Sequence, residues 1–188
     1  MLIKHSLYFL FELTSTYSTC IMVTSDYSDN KIRLHILQKG GIHMKTSYFW
    51  KATHEPDTSE TYVSISRTKM KGAEMMGEYS DLMPNWDIVK KAHDLGYNKE
   101  SYLAYRDAYF AQLDKLDPWK VYEDLKDCVL VCFEAPKDLA AGTKFCHRRM
   151  VAGWLEEKLG IVVPEETRSK DKNLIVPAIF RDTPYENL

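Results

Sequence analysis

Along residues 47 to 165 the apolar positions recur with two periods, and each change of period marks an element. Ser47-Tyr48-Phe49-Trp50 reads as a short strand, and Thr61-Tyr62-Val63-Ser64-Ile65-Ser66 alternates as a second one. The polar turn between them carries Pro56. Thr68 to Met83 mixes Lys, Gly and Met without a period, which predicts a long loop with at most one short helical piece. Asn85 is placed to cap a helix through Leu95 that stops at Gly96, and Asn98 to cap a longer one to about Leu116. Asp117-Pro118 starts a third helix, with proline in its first turn. Tyr102, Tyr105 and Tyr109 share one face of the second helix. That spacing reads as core, and Tyr105 doubles as a candidate substrate contact.

Cys128 to Phe133 then forms a buried strand, followed by a loop from Glu134 to Phe145 and a helix from about His147 to Leu159. Met150, Val151, Trp154, Leu155 and Leu159 define the buried side of that helix. With Ile161 to Val163 as a returning strand, this span predicts a βαβ unit in a parallel or mixed sheet, its crossover right-handed. Pro177 restricts Leu174 to Phe180 to an edge strand or an extended surface segment. The expected fold is α/β: a two- or three-layer domain with a small sheet and the βαβ unit in its C-terminal half.

The amino-terminal segment, residues 1 to 43, shows neither sustained helical period nor clear alternation and predicts an irregular leader. Glu12 interrupts its apolar part, no small-residue cleavage pattern follows, and it is too short and polar to span a bilayer. Lys39-Gly40-Gly41-Ile42-His43-Met44 is encodable by a purine-rich ribosome-binding run just ahead of a start codon. The expectation is a native start at Met44 and a single domain over residues 44 to 188.

Composition narrows the function classes. A chain of 188 residues, 45% hydrophobic and 28% charged, describes a soluble globular domain able to bury a core. The net charge of -2 provides no overall basic field to draw nucleic acid, so any affinity for anions must be local. Twelve tyrosines and four tryptophans serve packing first and base stacking second. Cys20, Cys128, Cys132 and Cys146 include no CxxC pair and read as buried thiols of a reducing, cytoplasmic compartment. Cys132, Cys146 and His147 form a conceivable zinc set without paired knuckle spacing, so neither metal nor cofactor is expected.

Chemistry concentrates where the strand ending at Phe133 meets the helix beginning at His147. Strand carboxyl ends and helix amino ends converge there with unpaired N–H groups. Cys146, at a helix start beside His147 and two arginines, supports either a thiolate nucleophile or a small buried residue. Arg148, with Ser66 and Arg67 from the other strand end, supports either a clamp for phosphate or, for Arg148, an ion pair with Glu134 that pins the loop. His147 reads as an acid–base group or a packing histidine, and Glu134 as a general base or an arginine partner. Lys69 and Lys71 are either phosphate contacts or solvated lysines.

These residues also carry a resemblance. Ser64-Ile65-Ser66-Arg67, Asp81-Leu82-Met83-Pro84 and Tyr102 with Tyr105-Arg106 form its first part. Val129-Leu130-Val131-Cys132-Phe133-Glu134, Phe145-Cys146-His147-Arg148-Arg149 and Val151-Ala152-Gly153-Trp154-Leu155 complete it. Together they resemble the domain of unknown function 488 family over nearly all of residues 47 to 165. The loop Ala135 to Lys144 is longer than the compact one typical of that family, and the amino-terminal segment is unmatched. The resemblance implies a small α/β domain of bacterial or phage type. Members are sometimes labelled as DNA-repair proteins.

Two function classes follow. One is an enzyme acting on a nucleotide or a nucleic-acid-related phosphorylated substrate, with Glu134, Cys146 and His147 as catalytic residues and Ser66, Arg67, Tyr105 and Arg148 binding substrate. The other is a noncatalytic module that uses the same pocket for a small ligand or a protein partner. Neither class involves a membrane.

Overall fold

The computed structural model describes residues 20–26, 31–37 and 44–185. The chain divides into two compact units, Met1–Gly41 and Ile42–Leu188. In the first, β1 (Cys20–Asp26) pairs antiparallel with β2 (Lys31–Leu37), Cys20 opposite Leu37 and Asp26 opposite Lys31. An irregular segment was expected here. Ile32, Leu34 and Ile36 alternate with Lys31, Arg33 and His35, a strand signal too short to emerge when the whole segment is averaged. The rest of the expected leader, 1–19, 27–30 and 38–43, lies outside the described residues, as does 186–188.

The second unit is the expected α/β domain. Strands β3 (Lys45–Tyr48), β4 (Thr61–Ser64), β5 (Gly77–Glu78) and β6 (Cys128–Cys132) form an all-parallel sheet in the order β3-β6-β4-β5. Six helices are described: α1 (Phe49–His54), α2 (Trp86–Leu95), α3 (Lys99–Leu113), α4 (Pro118–Leu125), α5 (Pro136–Ala140) and α6 (His147–Leu159). Side chains alternate along the strands and serve two cores. Val63 and Leu130 join the large core built by α3, α4 and α6, while Tyr62 and Val131 face Phe49 and Ala52 of α1. Helices therefore cover both faces, as a parallel sheet requires.

Most helix ends fall where the capping residues put them. The Asn98 side chain accepts from Ser101 N at 2.9 Å, and Asp117 Oδ1 accepts from Trp119 N and Lys120 N ahead of Pro118. Gly160 ends α6 in the left-handed region, at φ 68°. Trp154 fills the centre of the α6 face without solvent exposure. Loss of such a side chain typically costs about 3–5 kcal/mol.

Two expectations are corrected and a third is narrowed to one of its alternatives. The strand expected over Ser47 to Trp50 stops at Tyr48, and Phe49 opens α1, because Phe49 and Ala52 at helical spacing bury against Val131. Ile161 to Val163 is not a strand. Ile161 and Val163 are buried in the helix-layer core, and the chain reaches the sheet only at Glu165, beside β3. Thr46 N donates to Pro164 O and Glu166 N donates to Thr46 O, so the ladder donor comes after Pro164, which has no N–H to give. Leu174 to Phe180 makes no strand either. It crosses α6, with Ile179 N donating to Arg149 O, at a point where a Cβ on Gly153 would sit 2.1 Å from Ile179 O.

This topology creates a crevice. The chain leaving β4 continues towards β5, whereas the chain leaving β6 returns through α6 to the opposite edge beyond β3. The carboxyl ends of β4 and β6 therefore diverge between two neighbouring strands. That is the topological switch point at which open α/β sheets bind ligands.

Candidate functional site

A cleft of about 410 Å³ opens at this switch point. Ser66, Arg67 and Thr68 enter it from the end of β4, Cys132, Phe133 and Glu134 from the end of β6, and Cys146 and His147 from the start of α6. Helices α2 and α3 and the link between them close the far side with Trp86, Val89, Tyr105 and, from the link, Tyr97. Phe145 meets the rings of Tyr97, Tyr102 and Tyr105 at centroid distances of 5.4–5.6 Å in tilted and edge-on contacts, which gives the cleft an aromatic wall.

At the base lies a compact cluster. The ligand-capable atoms of Cys132, Cys146 and His147 all lie within 4.8 Å of one another, and all three residues are buried. His147 Nε2 is 2.8 Å from Ile65 O; a carbonyl only accepts, so the proton sits on Nε2 and the lone pair on Nδ1. Nδ1 in turn lies 3.4 Å from Cys132 Sγ. Cys146 holds the N-cap position of α6 but makes no cap hydrogen bond, which leaves its sulfur to the cluster. Burial alone would raise its thiol pKa. The hydrogen bond from Cys132 and the Arg148 guanidinium oppose burial, and Cys146 is held well below the usual thiol range. Cys132 moves the opposite way, pushed well above that range first by burial and then by its bond to Cys146.

Six of the seven residues singled out from sequence line this cleft: Ser66, Arg67, Tyr105, Glu134, Cys146 and His147. Arg67 is partly engaged, since Nε donates to Pro84 O at 2.7 Å and Nη2 reaches Met83 O and Asn85 Oδ1. The Glu134 carboxylate accepts from the Tyr97 hydroxyl at 2.9 Å and from Lys144 Nζ at 3.1 Å. Burial and the Glu134 charge raise the Tyr97 phenol pKa, so it remains a donor. The Tyr105 hydroxyl has no partner among the described residues. Burial pushes that phenol well above its ordinary value.

The seventh, Arg148, lies behind the cluster and is fully buried. Its Nε and Nη2 grip Glu165 at 2.8–3.2 Å, Nη2 also donates to Glu134 O at 2.7 Å, and Nη1 donates to Cys146 Sγ at 3.2 Å. The ion-pair partner considered from sequence, Glu134, thus contributes only its backbone carbonyl, and Glu165 carries the charge. Arg149 is buried beside it, bonded to Thr46 Oγ1, Val163 O and Pro177 O. Lys69 bonds to Glu74 O and Met76 O and pairs with Glu78, away from the residues that line the cleft.

Sequence reasoning passed over Tyr97 and Phe145 as site residues and weighed Cys132 only as a zinc ligand. Cys132 carried a usable signal as the last residue of a buried strand, two before Glu134. Tyr97 sits in the short Gly96-Tyr97-Asn98 link between two capped helices, where a large aromatic has no helical face to serve. The zinc set set aside for lack of knuckle spacing does come together, because a strand end and a helix start meet across the α5 loop.

No family model, curated protein or solved structure matches the chain, so the resemblance to the domain of unknown function 488 family rests on the residues quoted for it. No helix among the described residues is long and apolar enough to cross a membrane.

Proposed function

We propose that the chain is an enzyme acting on a nucleotide or a nucleic-acid-related phosphorylated substrate. On this reading the planar base enters the aromatic cleft, and the cluster at its base supplies the chemistry. The observation that carries the reading is the coincidence of three features in one place: a switch-point cleft, a wall of packed aromatic rings, and the buried Cys132, Cys146 and His147. Folding alone has no need to gather two thiols and an imidazole beneath a cavity. Arg67 and Thr68 at the lip are the groups available to a phosphate, since the Arg148 guanidinium is committed inside the protein. Glu134, fixed by Tyr97 and Lys144, supplies a carboxylate for proton transfer.

A second reading, a noncatalytic binding module, is favoured by one observation. Trp86, Tyr97 and Phe133 line the cleft yet remain 58%, 56% and 41% exposed, as the rim of a docking site would. A thermal-shift screen of the full chain against nucleosides, nucleotides, sugar phosphates and short oligonucleotides tests both readings. A nucleotide-class hit that Tyr105→Ala weakens, with turnover lost but binding kept in Glu134→Gln, supports the enzyme. Binding with no turnover in the wild type supports the module. Absence of any hit from a well-folded protein overturns the nucleotide reading.

A further inference from the structure

We infer that Cys132, Cys146 and His147 form a zinc-binding site with three protein ligands and a fourth position open to the cleft. A zinc ion with bonds of about 2.3 Å to sulfur and about 2.0 Å to nitrogen holds its ligand atoms about 3.5–3.8 Å apart in a tetrahedron. The three donor atoms already lie within 4.8 Å of one another, with Cys132 Sγ and His147 Nδ1 at 3.4 Å. Ligation therefore needs side-chain adjustments of about an ångström and no movement of β6 or α6.

The surroundings match what a metal site demands beyond its ligands. A histidine ligand is normally oriented by its second nitrogen donating to a carbonyl or carboxylate. Here Nε2 of His147 donates to Ile65 O at 2.8 Å, which fixes the ring and presents the Nδ1 lone pair to the two sulfurs. Arg148 Nη1 donates to Cys146 Sγ at 3.2 Å, and Arg148 is itself neutralised by Glu165. Two thiolates balance the charge of a divalent zinc, so the filled site adds no net charge to the protein interior. Thiolate and imidazole donors select zinc over magnesium or calcium, which require oxygen ligands.

Ligand number gives the site its character. A structural zinc site is closed by four protein ligands, whereas three leave a position for water or substrate. All three ligands line the cleft, and Glu134 lines it as well. Water on the ion would therefore face the ligand cavity, with a carboxylate at hand to receive its proton. What the ion would do rests on the enzyme reading above. Its binding does not.

The test is metal content. The full chain is kept reduced with a phosphine, dialysed against zinc chloride and then against metal-free buffer, and its bound zinc is measured by mass spectrometry. The expected result is one zinc per chain, lost in Cys146→Ser and in Cys132→Ser. Cobalt substitution is expected to give a thiolate-to-cobalt charge-transfer band that both variants lack. Should a serine variant misfold, His147→Gln and release of zinc from the wild type by a thiol-alkylating reagent read the same ligands. Wild-type protein that retains no zinc, or variants that retain as much as the wild type, overturn the site. Because no substrate is involved, zinc without a nucleotide-class ligand sinks only the nucleotide reading. A nucleotide-class ligand and turnover without zinc sinks only the metal site.

Discussion

Two buried polar regions adjoin at the start of α6, and they are built on opposite terms. In the knot beside β3, Glu165 is held by the Nε–Nη2 edge of Arg148 and by the Thr46 hydroxyl, and Arg149 closes onto Thr46, Val163 and Pro177. Its donors are engaged, and Glu165 serves as carboxylate to both arginines, 2.8 Å from Arg148 and 3.9 Å from Arg149. In the cleft, the Tyr105 hydroxyl is without a partner among the described residues, Cys146 is uncapped, and two thiols crowd one imidazole lone pair. Polar groups that are fully satisfied stabilise one structure, whereas a hydroxyl that lines a cavity without a protein partner is available to a ligand. Adjacent residues divide between the regions: Cys146 and His147 face the cleft, and Arg148 and Arg149 face the knot.

The largest effect should come from unbalancing the knot. Glu165→Gln removes the carboxylate that both buried arginines share, and breaking such a pair costs about 3–5 kcal/mol. Urea denaturation should show a fall in midpoint of that size at constant slope. The paired replacement Arg148→Met with Glu165→Leu should recover only part of the loss, since Arg149, 3.9 Å from Glu165, is then left without a carboxylate. A single variant as stable as the wild type would show that water reaches Arg148, and the contrast between the regions would lose its physical basis.

The knot and the cleft also differ in how far they could be read from sequence. The α6 helix was legible from His147 to Leu159 because its apolar spacing, its start at Cys146 and its stop at Gly160 agree. Asn98 and Asp117 marked their helices for the same reason: the signal lies within one turn of its effect. Six of the seven candidate residues reached the cleft because strand ends and helix starts converge in any α/β sheet. Arg148 did not, since a buried arginine is placed by its partner, and Glu165 lies 17 residues on in a segment whose pairing with β3 no local pattern announces. Phe49 was misread because a four-residue apolar run suits a strand or a helix equally, and only packing against Val131 decides between them.

A smaller effect tests the tail that clamps the knot. A methyl group at position 153 would meet the Ile179 carbonyl oxygen at 2.1 Å and its carbon at 2.7 Å, both backbone atoms that cannot rotate away. Gly153→Ala should therefore push the segment around Ile179 off α6, at about 1–3 kcal/mol. Hydrogen exchange should report it at the Ile179 amide, which donates to Arg149 O. Unchanged protection there would mean that the tail holds α6 by other contacts.

The smallest expected effect compares two tyrosines one turn apart on α3. Tyr109 donates its hydroxyl to Leu82 O at 2.5 Å, so Tyr109→Phe strands a buried carbonyl and should cost about 1–3 kcal/mol. Tyr105 gives its hydroxyl to the cleft and has no partner among the described residues, so Tyr105→Phe should leave stability within about 0.5 kcal/mol of the wild type. The difference between these two urea midpoints isolates one hydroxyl against another on the same helix face, with ring packing against Phe145 and His147 retained in both. If Tyr105→Phe costs as much as Tyr109→Phe, the Tyr105 hydroxyl is satisfied in the protein and the cleft is as closed a region as the knot. If it costs nothing in stability yet weakens a nucleotide-class ligand, that hydroxyl is a group kept free for binding.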